Sequence, residues 1–264
     1  MTKITAASIR ARKADGDKIA VVTAYDCPGA ACADAAGVDA ILVGDSLGMA
    51  VMGCDDTLGV TMDIMVHHAR MVRRGASRPL LIGDMPFLSY QTCAADAVRN
   101  AGRFVAEAGM DAVKLEGSAE KFGSAIAAIL NAGIPVMGHV GLTPQSVRQF
   151  GGFRVQGRGE ADRQRILEEA LGLEAAGCFA VVLECIPAEL AAEITGRLAI
   201  PTIGIGAGAA CDGQVLVFHD LLGWGRTRFA KTYADVRSVQ TDALHRYVEE
   251  VRNGVFPAPE HAYE

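Results

Sequence analysis

The feature that most limits how this chain can fold is an apolar, β-branched run that ends in an acid. It occurs four times, at 41–45 (ILVGD), 80–84 (LLIGD), 112–116 (AVKLE) and 180–184 (AVVLE). One such ending is ordinary turn chemistry. Four at near-regular spacing gather acids at one end of a parallel sheet or barrel. Strands that are apolar throughout, rather than alternating, are buried on both faces and therefore parallel.

Four further strand-like stretches, at 18–25, 134–139, 200–205 and 214–218, bring the number of strands to eight. Helices are expected between most of them, over 29–36, 61–75, 96–108, 119–131, 161–176 and 187–197, with a last one over 235–252. In the second of these Met62, Met65, Val66, Ala69 and Val72 recur on one helical face, with Thr61 as N-cap and Gly75 as the stop. In the next, Ala97, Ala101, Phe104, Val105 and Ala108 are expected to point inward. Eight strand–helix units favour a (β/α)8 TIM barrel over an open doubly wound sheet. No linker-like stretch divides the chain, so one barrel domain is expected over 1–264.

Half of the 264 residues are hydrophobic, enough for a large core, and the net charge of −6 comes without any block of like charges. A basic face for nucleic acid is unsupported. Seven cysteines, none in Cys-x-x-Cys spacing, mostly lie in apolar segments, which suits reduced thiols in a cytoplasmic protein. The first residues lack the apolar core of a secretory signal. No apolar run approaches the ~20 residues that span a bilayer, so no membrane association is expected.

In a TIM barrel the C-terminal strand ends carry the active site. Here those ends hold Asp26, Asp45 with Ser46, Asp84, Glu116, His139, Glu184 and the glycines of 204–208. Converging carboxylates repel unless something compensates, and a hard divalent cation such as Mg²⁺ prefers oxygen ligands and keeps exchangeable waters. Asp45, Asp84 and Glu116, on consecutive strands, are the metal-ligand candidates, directly or through water. Alone, each reads better as a helix cap or turn acid; the three together, with Lys114 beside them, point to the metal.

Lys114 shares a strand face with Glu116 and suits a substrate carboxylate or a Schiff base. Glu184 closes an apolar run, where burial would disfavour its ionised form; it is the candidate general base for a carbon acid. The alternative is a carboxylate paired with a nearby cation. His139 could bond a substrate oxygen or serve only as a structural hydrogen-bonder. Within the Gly-rich loop 141–159, the stretch 150–159 has the character of a lid or binding loop, in which Arg154 and Arg158 could meet an anionic substrate or pair with surface acids. Cys185 reads as core, and His67 and His68 as outer-helix residues.

Seven motifs in order, VGDSLGM (43–49), DMPF (84–87), VKLEG (113–117), GHVGLTPQS (138–146), VQGR (155–158), LEC (183–185) and IGIGAG (203–208), resemble the ketopantoate hydroxymethyltransferase family. The likeness implies a barrel of the phosphoenolpyruvate/pyruvate-like type. It implies transfer of a hydroxymethyl group from 5,10-methylenetetrahydrofolate to 3-methyl-2-oxobutanoate, giving 2-dehydropantoate, the first step of pantothenate biosynthesis, through a Mg²⁺-stabilised enolate. By position, the family's metal residues fall on Asp45, Asp84 and Glu116. Its keto-acid contacts fall on Asp45, Ser46, Asp84 and Lys114, with His139 close by, and its proton acceptor on Glu184. A cytoplasmic homodecamer of two stacked pentameric rings is also implied.

Val140, Leu115, Phe153 and Arg154 depart from the family pattern, and the segment 223–231 is shortened. A Mg²⁺-dependent carbon–carbon lyase or phosphonomutase of the same superfamily would need the same acids. No lyase-type Lys-Lys-Cys-Gly-His loop is present.

Overall fold

The computed structural model describes residues 2–225 and 227–263. Arg226, inside the shortened 223–231 segment, lies outside the described residues. The chain divides into two compact units, Met1–Val217 and Phe218–Glu264.

In the first unit the elements run α1 (Ala6–Asp15), β1 (Ile19–Thr23), α2 (Cys27–Ala36), β2 (Ala40–Val43), α3 (Leu47–Ala50), α4 (Met62–Gly75), β3 (Leu80–Asp84), α5 (Ala94–Ala108) and β4 (Ala112–Lys114). They continue with α6 (Ala119–Asn131), β5 (Val136–Gly141), α7 (Val147–Phe150), α8 (Glu160–Ala175), β6 (Ala180–Glu184), α9 (Ala188–Arg197), β7 (Thr202–Ile205) and β8 (Gly213–Leu216). The eight strands pair in chain order, all parallel, and β8 closes on β1. The expected (β/α)8 barrel is the fold. It closes within the first unit, whereas the sequence reading carried one domain through 1–264.

Local chemistry accounts for most element ends. Thr61 caps α4 by accepting the Ile64 N–H, and Ser118 caps α6 by accepting the Lys121 N–H. Gly75 ends α4 as its last residue, and the chain turns extended at Ala76. Pro187, expected as the first residue of a helix, stands one position earlier as the N-cap of α9. Val105, expected inward, is exposed on α5 while Phe104 is fully buried. The Phe104 ring fills the space over Gly83 of β3, where an added Cβ would meet it at 2.4 Å. Burying a side chain of that size is worth about 1.5–3 kcal/mol.

The barrel interior follows the period of two that strands impose. Ile19 and Val21, Ala40 and Leu42, Leu80 and Ile82, Ala112, Met137, Ala180 and Val182, Ile203 and Val215 form one buried cluster. Ile4 and Ile9 of the N-terminal segment join it at the floor, the N-terminal end of the strands. The expected elements begin only at 18, so this segment, with α1, is an addition to them. It is held by three cations on three aspartates: Lys3 on Asp111 at 2.6 Å, Arg12 on Asp39 at 2.8 Å and Lys13 on Asp212 at 2.8 Å. Each aspartate directly precedes a strand and accepts a backbone N–H from the strand before it, at 2.8 Å: Asp39 from Ala20, Asp111 from Leu81 and Asp212 from Thr202.

The second unit holds α10 (Phe218–Leu221) and α11 (Val236–Arg252), the latter capped by Asp235. Phe218, expected to end the eighth strand, starts α10 instead. Phe256 contacts the rings of Tyr247 and His261. No helix among the described residues is long and apolar enough to cross a membrane.

Candidate active site

The inward alternation of the barrel interior runs on into the rim and there turns polar. Two residues beyond Ile82 is Asp84, beyond Ala112 is Lys114, beyond Met137 is His139, and beyond Val182 is Glu184. The β3–β4 register sets Asp84 opposite Lys114. Strand parity therefore aims four of the expected residues into one cup. Asp45 breaks the parity, because Leu42 is followed at the inward position by Gly44. A Cβ at Gly44 would come 2.8 Å from Ser46 Oγ and 3.8 Å from Asp84 Oδ2. The turn into α3 then brings Asp45 to the cup, its N–H donating to Asp84 Oδ2 at 3.2 Å.

The charged groups form a continuous arc from β2 to β6. Lys114 Nζ donates to Asp84 Oδ1 at 2.7 Å and lies 3.6 Å from Glu116 Oε1. His139 Nδ1 is 3.5 Å from Glu116 Oε1, and its Nε2 is 3.3 Å from Glu184 Oε2. Asp45, Asp84, Lys114, Glu116 and His139 are all buried. Gly141 closes the junction of β5 and β6: at φ 95°, a Cβ there would sit 2.3 Å from the Glu184 carbonyl oxygen.

Burial and the charges of Asp84 and Glu116 push the Asp45 carboxyl well above the usual carboxylate range. Burial raises Asp84 too, against the pull of Lys114. Burial works against ionisation of Glu116, but Lys114, His139 and the Gln145 N–H outweigh it and hold its carboxyl below the ordinary value. Burial disfavours the Lys114 ammonium, and the carboxylates of Asp84, Glu116 and Asp45 more than restore it, so its proton is held tightly. That counts against a free amine ready for Schiff-base formation. Burial and Lys114 oppose protonation of His139, yet the carboxylates of Glu116 and Glu184 on either side leave it up at about 9.

Three expectations are corrected. Glu184 is not sealed in apolar surroundings: its side chain stays 16% exposed and faces His139. Cys185 is not core but half-buried, and it sits at φ 48°, in the left-handed region that non-glycine residues rarely enter. Its carbonyl accepts the Gln156 N–H at 3.0 Å, tying the 141–159 loop to the residue after Glu184. His68 is engaged rather than free on an outer face, its Nδ1 lying 2.6 Å from the Tyr25 carbonyl oxygen. Ser46 Oγ shares a 2.9 Å hydrogen bond with the Tyr25 hydroxyl. Arg154 and Arg158 are exposed.

The sequence reading missed Gln145 and Tyr90. Gln145 Nε2 donates to Asp45 Oδ2 and to the Met85 carbonyl, both at 2.9 Å, and its backbone N–H donates to Glu116 Oε2 at 3.0 Å. The Tyr90 hydroxyl bonds the Glu116 backbone and Gln145 Oε1. Both residues come from irregular loops, where no periodicity marks an inward side chain. The one available signal was Gln145 lying within the GHVGLTPQS motif.

The donor set suits a hard divalent cation: three buried carboxylates, two of them costly to ionise, near a single ammonium. Among the described residues no three His, Cys, Asp or Glu side chains enclose a common point. Lys114 stands between Asp84 and Glu116, and Gln145 between Asp45 and Glu116. That arrangement fits an ion held by one or two carboxylates with water completing the set.

A closed parallel barrel with its charged side chains gathered at the C-terminal strand ends defines a TIM-barrel enzyme. Solved structures agree on the architecture. Phosphonopyruvate hydrolase superposes with a TM-score of 0.65 at 15% identity, covering 100% of this chain and 92% of its own. 2,3-Dimethylmalate lyase, a member of the PEP mutase/isocitrate lyase superfamily, superposes with a TM-score of 0.64 at 17% identity, covering 100% and 93%. Sequence comparison goes further. The family description ketopantoate hydroxymethyltransferase matches residues 3–259, and the chain belongs to that family. Among its relatives is the 3-methyl-2-oxobutanoate hydroxymethyltransferase of Moorella thermoacetica, 54% identical over 266 residues, 100% of this chain and 98% of the relative. The Syntrophus aciditrophicus protein of the same name is 54% identical over 264 residues, covering 99% and 97%.

Proposed function

We infer that this chain transfers a hydroxymethyl group from 5,10-methylenetetrahydrofolate to 3-methyl-2-oxobutanoate, giving 2-dehydropantoate. The observation that carries the reading is the position of Glu184, part-exposed at the end of an arc of buried charge that begins at Asp45. The full-length relatives named for this activity support the choice of substrate.

Asp45, Asp84 and Glu116 would hold Mg²⁺, directly or through water; when bound, the ion polarises the 2-oxo group and carries part of the negative charge that develops there. Phosphonopyruvate hydrolase, a structural relative at a TM-score of 0.63 and 14% identity, is known as a complex with oxalate and Mg²⁺, which is in keeping with this donor set. Lys114 and Ser46 would bind the substrate carboxylate. Glu184 would take the proton from C3, and the carbanionic carbon would attack the methylene carbon of the one-carbon donor; both C–N bonds of that carbon break, water supplies the hydroxyl oxygen, and tetrahydrofolate leaves as the protonated amine. Protonated His139 and Lys114 would stabilise the enolate oxygen by charge. Cytoplasmic location and a homodecameric assembly are part of the same proposal and rest on the family likeness.

The test is exchange of the C3 proton of 3-methyl-2-oxobutanoate into D₂O. Exchange should depend on Mg²⁺ and collapse in Glu184→Gln. A wild-type protein that neither exchanges the proton nor forms 2-dehydropantoate from methylenetetrahydrofolate removes the reading.

A further inference from the structure

We propose that Gln145 is a positioning residue that selects which oxygen of Asp45 and of Glu116 is presented to the cation. The proposal rests on the metal-assisted reading above and assigns a role to a residue outside the expected set.

The amide is saturated. Its two N–H groups go to Asp45 Oδ2 and the Met85 carbonyl, and its oxygen accepts from Gln91 Nε2 at 2.9 Å and shares the one proton of the Tyr90 hydroxyl, 3.1 Å away, with the Glu116 carbonyl at 2.9 Å. A side-chain amide has two donors and two lone pairs, so nothing is left over. Reversing the amide would turn its oxygen toward a carboxylate and a carbonyl, acceptor against acceptor. Its orientation is therefore dictated by its partners.

The consequence falls on the acids. Asp45 Oδ2 is engaged by Gln145 Nε2, which leaves Oδ1 as the oxygen for the cup. Glu116 Oε2 is engaged by the Gln145 N–H, while Oε1 faces Lys114 and His139. One residue thereby fixes the rotation of two carboxylates that lie 100 and 29 positions away in the chain. A neutral donor suits this task. A cation at the same place would pair with the acids and compete with the ion, and an acid would add to the repulsion. Partners that orient ligands in this way typically account for 10–100-fold in metal affinity.

The experiment is Mn²⁺ binding to the full-length protein, followed by electron paramagnetic resonance, with thermal melting measured in parallel. Gln145→Met keeps the length and apolar bulk of the side chain and the backbone N–H to Glu116, but loses the amide's hydrogen bonds, including the one to Asp45. Mn²⁺ affinity should fall 10–100-fold, and the Mg²⁺ concentration giving half-maximal proton exchange should rise in step, with kcat largely recovered at saturating metal. Should Gln145→Met not fold, Tyr90→Phe, which removes one partner of the amide oxygen, should lower Mn²⁺ affinity by about 10-fold, the lower end of that range. A variant that melts earlier but binds Mn²⁺ as the wild type does overturns the proposal and leaves Gln145 a packing residue. A wild-type protein that binds no Mn²⁺ overturns the metal reading and, with it, the role of Gln145.

Discussion

At the floor of the barrel Asp39, Asp111 and Asp212 each have a cation of their own and a backbone N–H from the neighbouring strand, whereas at the rim Asp84 and Glu116 share Lys114, His139 lies between Glu116 and Glu184, and Asp45 pairs with neither cation. The same residue types thus serve two ends. On the floor the charges are matched one to one and join strand to strand and α1 to the barrel. On the rim they are undercompensated and buried, which costs stability and, on the proposed function, would leave a place for a cation and an anionic substrate. Acids that hold a fold have complete partners; acids that do chemistry are kept short of them.

This contrast can be broken by substitution, and the rim should give the largest effect. Glu184→Gln is expected to lower kcat about 10²–10⁴-fold, the usual range for losing a general base. The melting temperature should stay close to the wild-type value, since Glu184 is part-exposed. Loss of both activity and melting temperature would make Glu184 structural. Asp84→Ala should weaken Mg²⁺ dependence at least 10–100-fold, read from proton exchange against metal concentration; unchanged dependence would remove Asp84 from the cation site.

The floor should respond in the opposite sense. Asp212→Ala leaves Lys13 and the Thr202 N–H without their shared acceptor and should cost about 1–3 kcal/mol in denaturant unfolding. Activity per folded molecule should not change. A fall in turnover with no fall in stability would couple the floor to the chemistry.

The subtlest test sets Asp45 of the rim against Asp34, which accepts N–H groups from Ser77 and Arg78 ahead of β3. Burial and like charge raise the Asp45 carboxyl, so the metal-free fold holds its proton more tightly than the unfolded chain does. That contribution is present in full below about pH 4, the unfolded value, and is lost as pH rises toward the folded one. Burial works against the Asp34 carboxylate, but the N–H groups of Ser77 and Arg78 outweigh it and lower its pKa. Its contribution is present above about pH 4 and is lost as pH falls through the folded value. Without metal, Asp45→Asn should therefore melt no lower than wild type near neutral pH, with its advantage vanishing toward about pH 4. Asp34→Asn should melt lower near neutral pH, with that deficit vanishing in acid. Parallel pH profiles for the two variants would erase the distinction.

Much of the rim was legible because strand parity is a local rule. Once 80–84, 112–116 and 180–184 are read as strands, Asp84, Lys114 and Glu184 must point inward if Ile82, Ala112 and Val182 do. Asp45 was found by its place after a strand, although parity would have sent Gly44 inward instead. The exposure of Glu184 was not legible, since it depends on what the neighbouring loops cover. Helix α1 escaped notice because its mean pattern is polar; Ile9 is its one buried residue, and ion pairs hold the rest.

The amino-acid sequence by itself determined the alternation of strand and helix, the eightfold count and the line of acids after the strands, because burial on both faces and the two- and 3.6-residue periods act over a few neighbours. Only the tertiary structure decided which oxygen of each acid is free. Gln145 meets Asp45 across 100 residues at 2.9 Å, a contact made by barrel closure and the path of a loop, and loops carry no period from which such a meeting could be read.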